Sequence, residues 1–347
     1  MLQLKSLAAR YFGIREMRLE TVEIGAPQSK ELVMRVRQTG VCATDMRTFQ
    51  AGSSTVKPPV VLGHEVSGEI AAAGDEVTEL KVGDRVSVAP NVYCGQCVQC
   101  RSGSDNMCEN ISTLGYNIDG GYSEYLRLPR VFLEKRLVYK LPDQISLEEA
   151  ALVEPLSCCY RGLRRAHVDA GKTVLVVGDG PIGMMHLLLA KSFGSKTGMS
   201  GLIDRNLRLA DSLGADFTID ASKDATLRVK NETGERGADV VIVAVSSPSV
   251  IEEAMTFVSK RGTLIIFGGC AAGSRISVDP NQIHYGEVTI SGSTSYSYAD
   301  YQECFKIVAE HRIRLEPIIT NRYPLEQIEA AFEAELKGQT VKTMIVQ

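Results

Sequence analysis

The sequence predicts an α/β protein in which a β-rich region accompanies a doubly wound parallel sheet. Residues 1 to about 154 contain short β-type runs broken by glycine, which is typical of an antiparallel β-rich domain. From about Glu154 to Ile290, short apolar strands such as "TVLVVG" and "DVVIVAV" alternate with helical stretches, as in a parallel sheet. From about Ser291, a predicted helix and an amphipathic segment lead to the strand-like "VKTMIVQ".

The composition excludes several classes of protein. The 347 residues are 44% hydrophobic and 23% charged, which suits a globular chain of two domains. A net charge of -4 gives no electrostatic basis for binding nucleic acid or a membrane surface. The N-terminal segment lacks the apolar region of a secretory signal, and no run of about 18 apolar residues occurs. We therefore expect a cytoplasmic protein, in which the nine cysteines bind metal more readily than each other.

The segment "VVGDGPIG" has the spacing of a dinucleotide-binding loop. Gly178, Gly180 and Gly183 form G-x-G-x-x-G between a predicted strand and an apolar helix. The first glycine permits a tight turn, the second lets a pyrophosphate approach the backbone, and the third packs helix against strand. The helix begins with Pro181 and Ile182, and its N-terminus offers free N–H groups to phosphate. The loop therefore predicts binding of NAD or NADP.

The choice between the two cofactors depends on the next strand. An acidic residue near its end holds the ribose hydroxyls of NAD, and Asp204 lies 21 residues past Gly183. If the strand ends at Ser200, however, Gly201 takes the position of that acid and Asp204 lies in the following loop. Arg205 could instead attract the 2′-phosphate of NADP. The sequence favours NAD and leaves NADP open.

Three separated segments supply ligand types that suit zinc. The candidate side chains lie in "TGVCATDMRTF", "VLGHEVSGEI" and "LVEPLSCCYRGL": Cys42, Thr44, Asp45, His64, Glu65 and Glu154. A lone cysteine or histidine usually serves packing. Together with a dinucleotide loop, a thiolate, an imidazole and a carboxylate form a soft, borderline and hard set suited to zinc.

A four-cysteine segment lies between these ligands. The stretch "CGQCVQCRSGSDNMC" has the spacing C-x2-C-x2-C-x7-C, with cysteines at Cys94, Cys97, Cys100 and Cys108. Four thiolates can close the coordination shell of a structural zinc ion, and cysteine spacing alone also permits an iron–sulfur cluster.

The motifs of this chain and their order resemble the zinc-dependent medium-chain dehydrogenase/reductase family, and the resemblance covers essentially the whole chain. They are "GVCATD", "GHEVSGEI", the four-cysteine lobe, "DGGYSEY", "EPLSCCYRGL" and "GDGPIG". "GHE" followed by "EP" is similar to the sorbitol/polyol dehydrogenase branch and its threonine-dehydrogenase relatives. The resemblance implies a GroES-like β-rich catalytic domain, residues 1–154 and 291–347, interrupted by a Rossmann domain, residues 155–290.

The resemblance also implies two zinc ions. Cys42 and His64 correspond to ligands of a catalytic ion, and either Glu65 or Glu154 corresponds to the third protein ligand. The four cysteines correspond to a lobe that binds a structural zinc ion with no open position. Because four thiolates close the shell, that ion stabilises a loop and takes no part in chemistry.

The expected reaction is reversible oxidation of a secondary alcohol to a ketone, with hydride transfer to the nicotinamide. Thr44 matches the hydroxyl that receives the substrate proton, and Asp45 matches the acid that orients the metal site. The histidine that many relatives use as the outer proton carrier is replaced by Arg47, which cannot act as an ordinary base. We expect a polyol or sugar-derived substrate; an amino alcohol of the threonine type or a cyclitol is the alternative.

Two further expectations concern assembly and rival classes of protein. The family commonly associates through the strand near "GEVTISGS", which predicts a homodimer or homotetramer.

A zinc-finger protein that binds nucleic acid is disfavoured by the acidic net charge. A non-catalytic family member is disfavoured because the zinc ligands are retained. "SGSTSYSY" lacks the arginine of the Arg-Tyr pair of animal sorbitol dehydrogenases, which disfavours sorbitol itself.

Overall fold

The computed structural model describes residues 3–347, which form two compact units. The first unit comprises the chain up to Pro155 together with Ser297–Gln347, and the second comprises Leu156–Tyr296. The division expected from the sequence places the two boundaries after residues 154 and 290.

The described chain contains strands and helices with the following bounds. The strands are β1 (Gln3–Gly13), β2 (Glu16–Gly25), β3 (Leu32–Gly40), β4 (Val60–Val61), β5 (Glu65–Ala73), β6 (Arg85–Val88), β7 (Asn91–Val92), β8 (Ser112–Thr113), β9 (Tyr125–Leu128), β10 (Val138–Lys140), β11 (Thr173–Val177), β12 (Lys196–Gly201), β13 (Phe217–Asp220), β14 (Ala238–Val243), β15 (Val258–Ile266), β16 (Thr289–Gly292), β17 (Ile319–Pro324) and β18 (Lys342–Val346). The helices are α1 (Ala43–Ala51), α2 (Val98–Arg101), α3 (Val131–Glu134), α4 (Leu147–Ala151), α5 (Val153–Arg165), α6 (Pro181–Ser192), α7 (Asp204–Ser212), α8 (Ala225–Glu232), α9 (Pro248–Ala254), α10 (Pro280–Gly286), α11 (Tyr298–Ala309) and α12 (Ile328–Leu336). Within residues 3–347, no helix has both the length and the apolar character needed to cross a lipid bilayer.

The first unit is built on β-sheets. Its main sheet has the order β10-β6-β5-β3-β18-β17, with β9 also paired to β3, and smaller sheets have the orders β2-β1-β4 and β7-β8. The pairings are antiparallel, as the sequence predicts, except that β17 and β18 run parallel. A parallel pair requires a crossover connection, and α12 provides it between these two strands.

The strand register in the main sheet brings three distant segments together. Gly40, the last residue of β3, lies opposite Glu65, the first residue of β5. On its other side, Gly40 lies opposite Met344 of β18. Residues that follow β3, precede β5 and begin β18 therefore meet at one place in the first unit.

An apolar cluster supports this meeting point. Tyr122 is fully buried and packs edge-on against Phe332 of α12, with ring centroids 5.9 Å apart. Val41 and Leu62, which belong to the same cluster, flank the segments that carry the candidate ligands. Each fully buried side chain of this size contributes about 1.5–3 kcal/mol of transfer free energy. The cluster therefore fixes the backbone on which the candidate site depends.

The second unit contains a six-stranded parallel sheet with the order β13-β12-β11-β14-β15-β16. The earliest strand, β11, lies inside the sheet, and the order reverses beside it, which is the doubly wound Rossmann arrangement. All five residues of β11 are buried, as expected for a parallel strand covered on both faces. The predicted doubly wound parallel sheet is confirmed.

Candidate active site

Cys42 lies between β3 and α1, where it caps the helix. Its backbone is extended, with φ −105° and ψ 142°, and its sulfur lies 3.5 Å from the Thr44 backbone nitrogen. The positive end of a helix dipole and free N–H groups face such a sulfur. A helix N-terminus is one of the environments that favour a metal-binding thiolate.

His64 is buried among groups that orient its ring. Its Nδ1 lies 3.3 Å from Asp45 Oδ1, and the other Asp45 oxygen accepts a hydrogen bond from the Tyr122 hydroxyl at 2.9 Å. The Tyr116 ring packs edge-on at 5.6 Å between centroids. Burial by itself lowers the pKa of His64, but the charges of Asp45 and Cys42 raise it well above its ordinary value. With Nδ1 directed at Asp45, Nε2 is the nitrogen left for a metal.

Glu65 forms a buried ion pair with Lys342. The two residues are 1% and 2% exposed, and Lys342 Nζ lies 2.6 Å from Oε2 and 2.9 Å from Oε1 of the carboxylate. The same ammonium donates to the Val41 carbonyl oxygen at 2.8 Å. A Cβ at Gly40 would lie 1.8 Å from Glu65 Oε2, so a side chain there would displace the carboxylate. The absence of a side chain at Gly40 and the ion pair with Lys342 together fix the position of the Glu65 carboxylate.

Cys42, His64 and Glu65 form a group able to bind a metal ion. One ligand atom of each residue lies within 4.8 Å of the other two. Sulfur, imidazole nitrogen and carboxylate oxygen are all donors that zinc accepts, and three protein ligands leave a position for an exchangeable fourth. The donor set and its spacing therefore fit a catalytic zinc ion.

Glu154, the other candidate for the third ligand, lies outside this three-residue group in the described structure. It belongs to α5 and is 8% exposed. Burial raises its pKa to about 7, and the nearby positive charge of His64 opposes that effect. The spacing of ligand atoms therefore favours Glu65 as the third ligand.

Thr44 and Arg47 contact each other through their side chains. An Arg47 N–H donates to Thr44 Oγ1 at 3.2 Å. This bond uses one lone pair of the hydroxyl, and leaves its hydrogen and its other lone pair for further partners. Arginine remains charged, so it cannot accept a proton from the hydroxyl. Thr44 can still pass a proton, but Arg47 cannot be the next carrier.

The four cysteines of the lobe meet at one centre. All four sulfur atoms lie within 4.8 Å of one another, and those of Cys94 and Cys100 are 3.9 Å apart. A zinc–sulfur tetrahedron with bonds of about 2.3 Å has edges of about 3.8 Å. An iron–sulfur cluster would place several iron and sulfide atoms between the thiolates, and sulfur atoms this close leave no room for them. The lobe therefore fits a single structural zinc ion.

Backbone N–H groups of the lobe point at the sulfur atoms. Gln96 and Cys97 donate to Cys94 Sγ at 3.5 and 3.4 Å, and Cys94 N–H donates to Cys108 Sγ at 3.2 Å. The bonds from Gln96 and then Cys97 lower the pKa of the Cys94 thiol to about 6. Burial, in contrast, raises the pKa of the Cys100 thiol to about 12. Because the loop backbone stabilises the Cys94 thiolate, the conformation of the loop and metal binding are coupled.

In the second unit, the glycine-rich loop joins β11 to α6. Gly178 has φ +119°, in the region that favours glycine, and a Cβ at Gly183 would lie 1.9 Å from the Gly178 carbonyl oxygen. Gly180 caps α6 ahead of Pro181 and Ile182, and a Cβ there would meet nothing within 4 Å. The loop thus combines a tight turn, close strand–helix packing and open space before a helix N-terminus. That combination can bind a pyrophosphate.

The two residues expected at the adenosine end, Asp204 and Arg205, begin helix α7. Strand β12 ends at Gly201, and Asp204 is the first residue of α7 rather than part of a loop. Its side chain is 80% exposed and pairs with Arg208 one turn along the helix. Arg205 Nε donates to Asn206 Oδ1 at 3.3 Å. The helix begins earlier than expected because Asp204 is favourable in a first turn.

Two residues of the candidate site are not evident from the sequence. Lys342 neutralises Glu65, and Tyr122 holds Asp45. The only signals are a single lysine in the apolar strand "VKTMIV" and a tyrosine in the motif "DGGYSEY". Neither signal identifies a partner, because the pairing depends on strand register.

Comparison with known proteins places these features among zinc-binding dehydrogenases. Residues 28–143 match the family of the alcohol dehydrogenase GroES-like domain, and residues 181–310 match the zinc-binding dehydrogenase family. The chain is 32% identical to sorbitol dehydrogenase from Bacillus subtilis (strain 168), over 97% of this chain and 96% of that protein. It is 30% identical to D-arabitol-phosphate dehydrogenase from Enterococcus avium, over 99% of this chain and 97% of that protein. The fold matches an NADP-bound structure from Sinorhizobium meliloti 1021, described as a zinc-binding dehydrogenase, with a TM-score of 0.93, 27% identity, and coverage of 99% and 100%.

Proposed function

We propose, because this chain belongs to the zinc-dependent medium-chain dehydrogenase family, that it reversibly oxidises a secondary alcohol to a ketone with a dinucleotide as hydride acceptor. The observation that carries the proposal is the group of Cys42, His64 and Glu65, in which Cys42 is partly exposed and the other two side chains are buried. Two relatives named for sorbitol and D-arabitol phosphate support a polyol or a sugar-derived alcohol as substrate.

The residues of the first unit would hold zinc in two places. Cys42, His64 and Glu65 are the proposed catalytic ligands, and the four-cysteine lobe is the proposed structural site. When bound, the catalytic ion supplies Lewis acidity to an alcohol oxygen, and the dinucleotide supplies the hydride acceptor. Asp45 orients the His64 ring, and Lys342 balances the charge of Glu65.

The proton of the alcohol passes to the Thr44 hydroxyl in this proposal. Thr44 Oγ1 keeps one lone pair and its own hydrogen while it accepts from Arg47, so it can take one proton and release another. Arg47 holds the hydroxyl in place and places a fixed positive charge beside it, which favours loss of the proton. The proton would then leave the Thr44 hydroxyl to solvent, since Arg47 cannot accept it.

The dinucleotide would bind to the glycine-rich loop of the second unit. Gly178, Gly180 and Gly183 shape the turn. Pro181, which has no N–H, begins α6, and the free N–H groups of the first turn from Ile182 onward would bind the pyrophosphate. NAD is the favoured cofactor, because a carboxylate near the adenosine ribose repels a 2′-phosphate. NADP remains the alternative.

The test is metal analysis combined with turnover. Purified protein should contain about two zinc ions per chain. Cys42→Ser should lose one zinc ion and essentially all alcohol oxidation. Cys270 is partly buried and lies outside both metal groups, so Cys270→Ser should retain both zinc ions and the alcohol oxidation. Full activity in a metal-free preparation would contradict the mechanism.

A second measurement addresses the substrate. Formation of reduced dinucleotide should be followed with polyols, sugar acids, sugar phosphates, cyclitols and amino alcohols, using NAD and NADP in parallel. The highest kcat/KM is expected among polyols or their derivatives. A strong preference for threonine or an aminocyclitol would overturn the substrate class and leave the metal-assisted reaction intact.

We also propose that the chain works as a homo-oligomer, a dimer or a tetramer, in the cytoplasm. Strand β16 lies at the edge of the parallel sheet, and an unpaired edge invites pairing with a second copy. Tyr285, just before this strand, is 76% exposed, which suits a contact surface. Four thiols that must stay reduced to bind zinc support a reducing compartment.

A further inference from the structure

The side chain of Asp179 occupies the space at the carboxyl end of β12. Gly201 is the last residue of that strand, and a Cβ built on it would lie 2.4 Å from both Cβ and Oδ2 of Asp179. Contacts below 3.0 Å are shorter than real Cβ atoms make. A side chain at position 201 and the present Asp179 side chain therefore exclude each other.

Hydrogen bonds hold Asp179 in that place. Its Oδ2 accepts from the Ile203 backbone N–H at 2.7 Å, and its carbonyl oxygen accepts from Asn206 Nδ2 at 3.0 Å. Gly178, the preceding residue, donates its N–H to the Ser200 carbonyl oxygen at 2.8 Å. The carboxylate is thus fixed to both the end of β12 and the start of α7.

The carboxyl end of the second strand has a defined role in a dinucleotide-binding sheet. The adenosine ribose lies beside the carboxyl end of the second strand, where an acidic side chain hydrogen-bonds the ribose 2′-hydroxyl. In this chain glycine ends the strand, so the strand itself offers no carboxylate. Asp179 brings one to the same point from the glycine-rich loop.

The other acidic candidate is directed elsewhere. The Asp204 side chain is 80% exposed and pairs with Arg208 on the surface of α7. An exposed ion pair with a residue of its own helix contributes little specificity. The geometry leaves Asp179 as the carboxylate best placed to meet the ribose.

We propose that Asp179 is the residue that selects a dinucleotide with free ribose hydroxyls, NAD, over one with a 2′-phosphate. The inference rests on the proposed dinucleotide-dependent function and identifies the carboxylate that sets cofactor choice. The carboxylate accepts a hydrogen bond from the ribose and repels a phosphate at the same position. The carboxylate that contacts the ribose would thus come from the second residue of the glycine-rich loop instead of the end of the second strand.

The test measures binding rather than turnover. Dissociation constants of NAD and NADP are determined by isothermal titration calorimetry for the zinc-loaded wild type, Asp179→Asn and Asp204→Asn. Asparagine at 179 keeps an oxygen that can accept from Ile203, while it removes the charge and replaces the other acceptor oxygen with an NH2 donor. We expect the wild type to prefer NAD, and Asp179→Asn to reduce the NAD-to-NADP preference about tenfold or more, the size of one charge-assisted hydrogen bond. Asp204→Asn should leave the preference unchanged.

A rescue variant separates recognition from loop support. Asp179→Gly combined with Gly201→Asp returns the carboxylate to the end of β12, and should restore the preference for NAD. An unchanged preference in Asp179→Asn, an equal change in Asp204→Asn, or a wild type that prefers NADP would each overturn the assignment while leaving the dehydrogenase proposal intact. A wild type that binds neither dinucleotide would overturn the proposed function, and this inference with it.

Discussion

The ion pair of Lys342 and Glu65 shows how one residue can control a metal ligand without touching the metal. Both side chains are almost fully buried, and a buried charge is costly unless an opposite charge accompanies it. We expect Lys342→Met to lower the free energy of unfolding by about 3–5 kcal/mol, because it leaves the Glu65 carboxylate buried and unpaired. Denaturant unfolding, with the zinc content measured in parallel, tests this.

Two variants serve as controls for that prediction. Lys342→Met with Glu65→Gln removes both charges and should recover much of the lost stability. Lys337→Met breaks an exposed pair with Glu333 and should cost less than about 1 kcal/mol. If Lys342→Met is as stable as the Lys337 variant, the buried pair does not have the role assigned to it.

Residue types alone predict the chemistry of this site, but they do not predict its contacts. Cys42, His64 and Glu65 stand out because their chemistry suits zinc, and the structure brings all three together. Asp179 does not stand out, since it occupies the variable second position of the glycine-rich motif. Its importance depends on the space beside Gly201, which is a property of neighbouring strands.

The four-cysteine lobe should act as a metal-dependent element. Its strands and helices are very short, for example β7, β8 and α2, so they supply little cooperative structure of their own. Cys97→Ser should remove one zinc ion and lower the melting temperature, because metal binding and local folding are coupled. Differential scanning calorimetry with metal analysis measures both quantities.

The matched control is again Cys270→Ser, which should retain both zinc ions and the wild-type melting temperature. Should Cys97→Ser keep its zinc content and its melting temperature, the structural role of the lobe would be refuted. An absorbance band of iron–sulfur type in the purified protein would refute the choice of metal.

Helix α6 carries a buried histidine that makes stability depend on pH. His186 is fully buried, its ring packs edge-on against Phe267 at 4.7 Å, and burial lowers its pKa to about 3. In the unfolded chain, the imidazole of His186 binds a proton near pH 6.5, whereas the folded chain does not bind it until the pH is near 3. The free energy of unfolding therefore falls as the pH falls from 6.5 towards 3. One proton accounts for about 1.4 kcal/mol per pH unit over that window.

We therefore expect the melting temperature of the wild type to fall more between pH 7 and pH 5 than that of His186→Leu. Leucine has no titrating group, and its side chain suits an apolar environment. Scans of both proteins at each pH provide the comparison. Equal losses would show that His186 does not contribute to the acid sensitivity.

Sequence patterns predict the type of most elements and fail where long-range packing decides. The parallel sheet of the second unit follows from apolar strands alternating with helices, and it is observed. The parallel pair of β17 and β18 inside an otherwise antiparallel sheet does not follow from the pattern, because strand direction depends on how α12 crosses over. The start of α7 at Asp204 differs from the expectation because glycine at 201 suggests a longer loop.

Assembly is the prediction that concerns the whole molecule. Light scattering should give a mass that is two or four times 37.7 kDa. Thr289→Lys places a charge at an exposed position of the edge strand β16 and should shift the population towards the single chain, since charges protect sheet edges from pairing. Leu227→Lys, at an exposed position of α8, is the matched surface control. A wild type that is a single chain at all concentrations would contradict the proposed assembly.

The pairing of Lys342 with Glu65 also has a consequence for biosynthesis. The two residues are 277 positions apart, and a ribosome adds roughly 5–20 residues per second, so Lys342 is synthesised roughly 14–55 s after Glu65. During that interval all of the second unit, Leu156–Tyr296, is synthesised and can fold. The unit that begins first is therefore finished last, and Glu65 has no buried counter-ion until Lys342 of β18 has been synthesised.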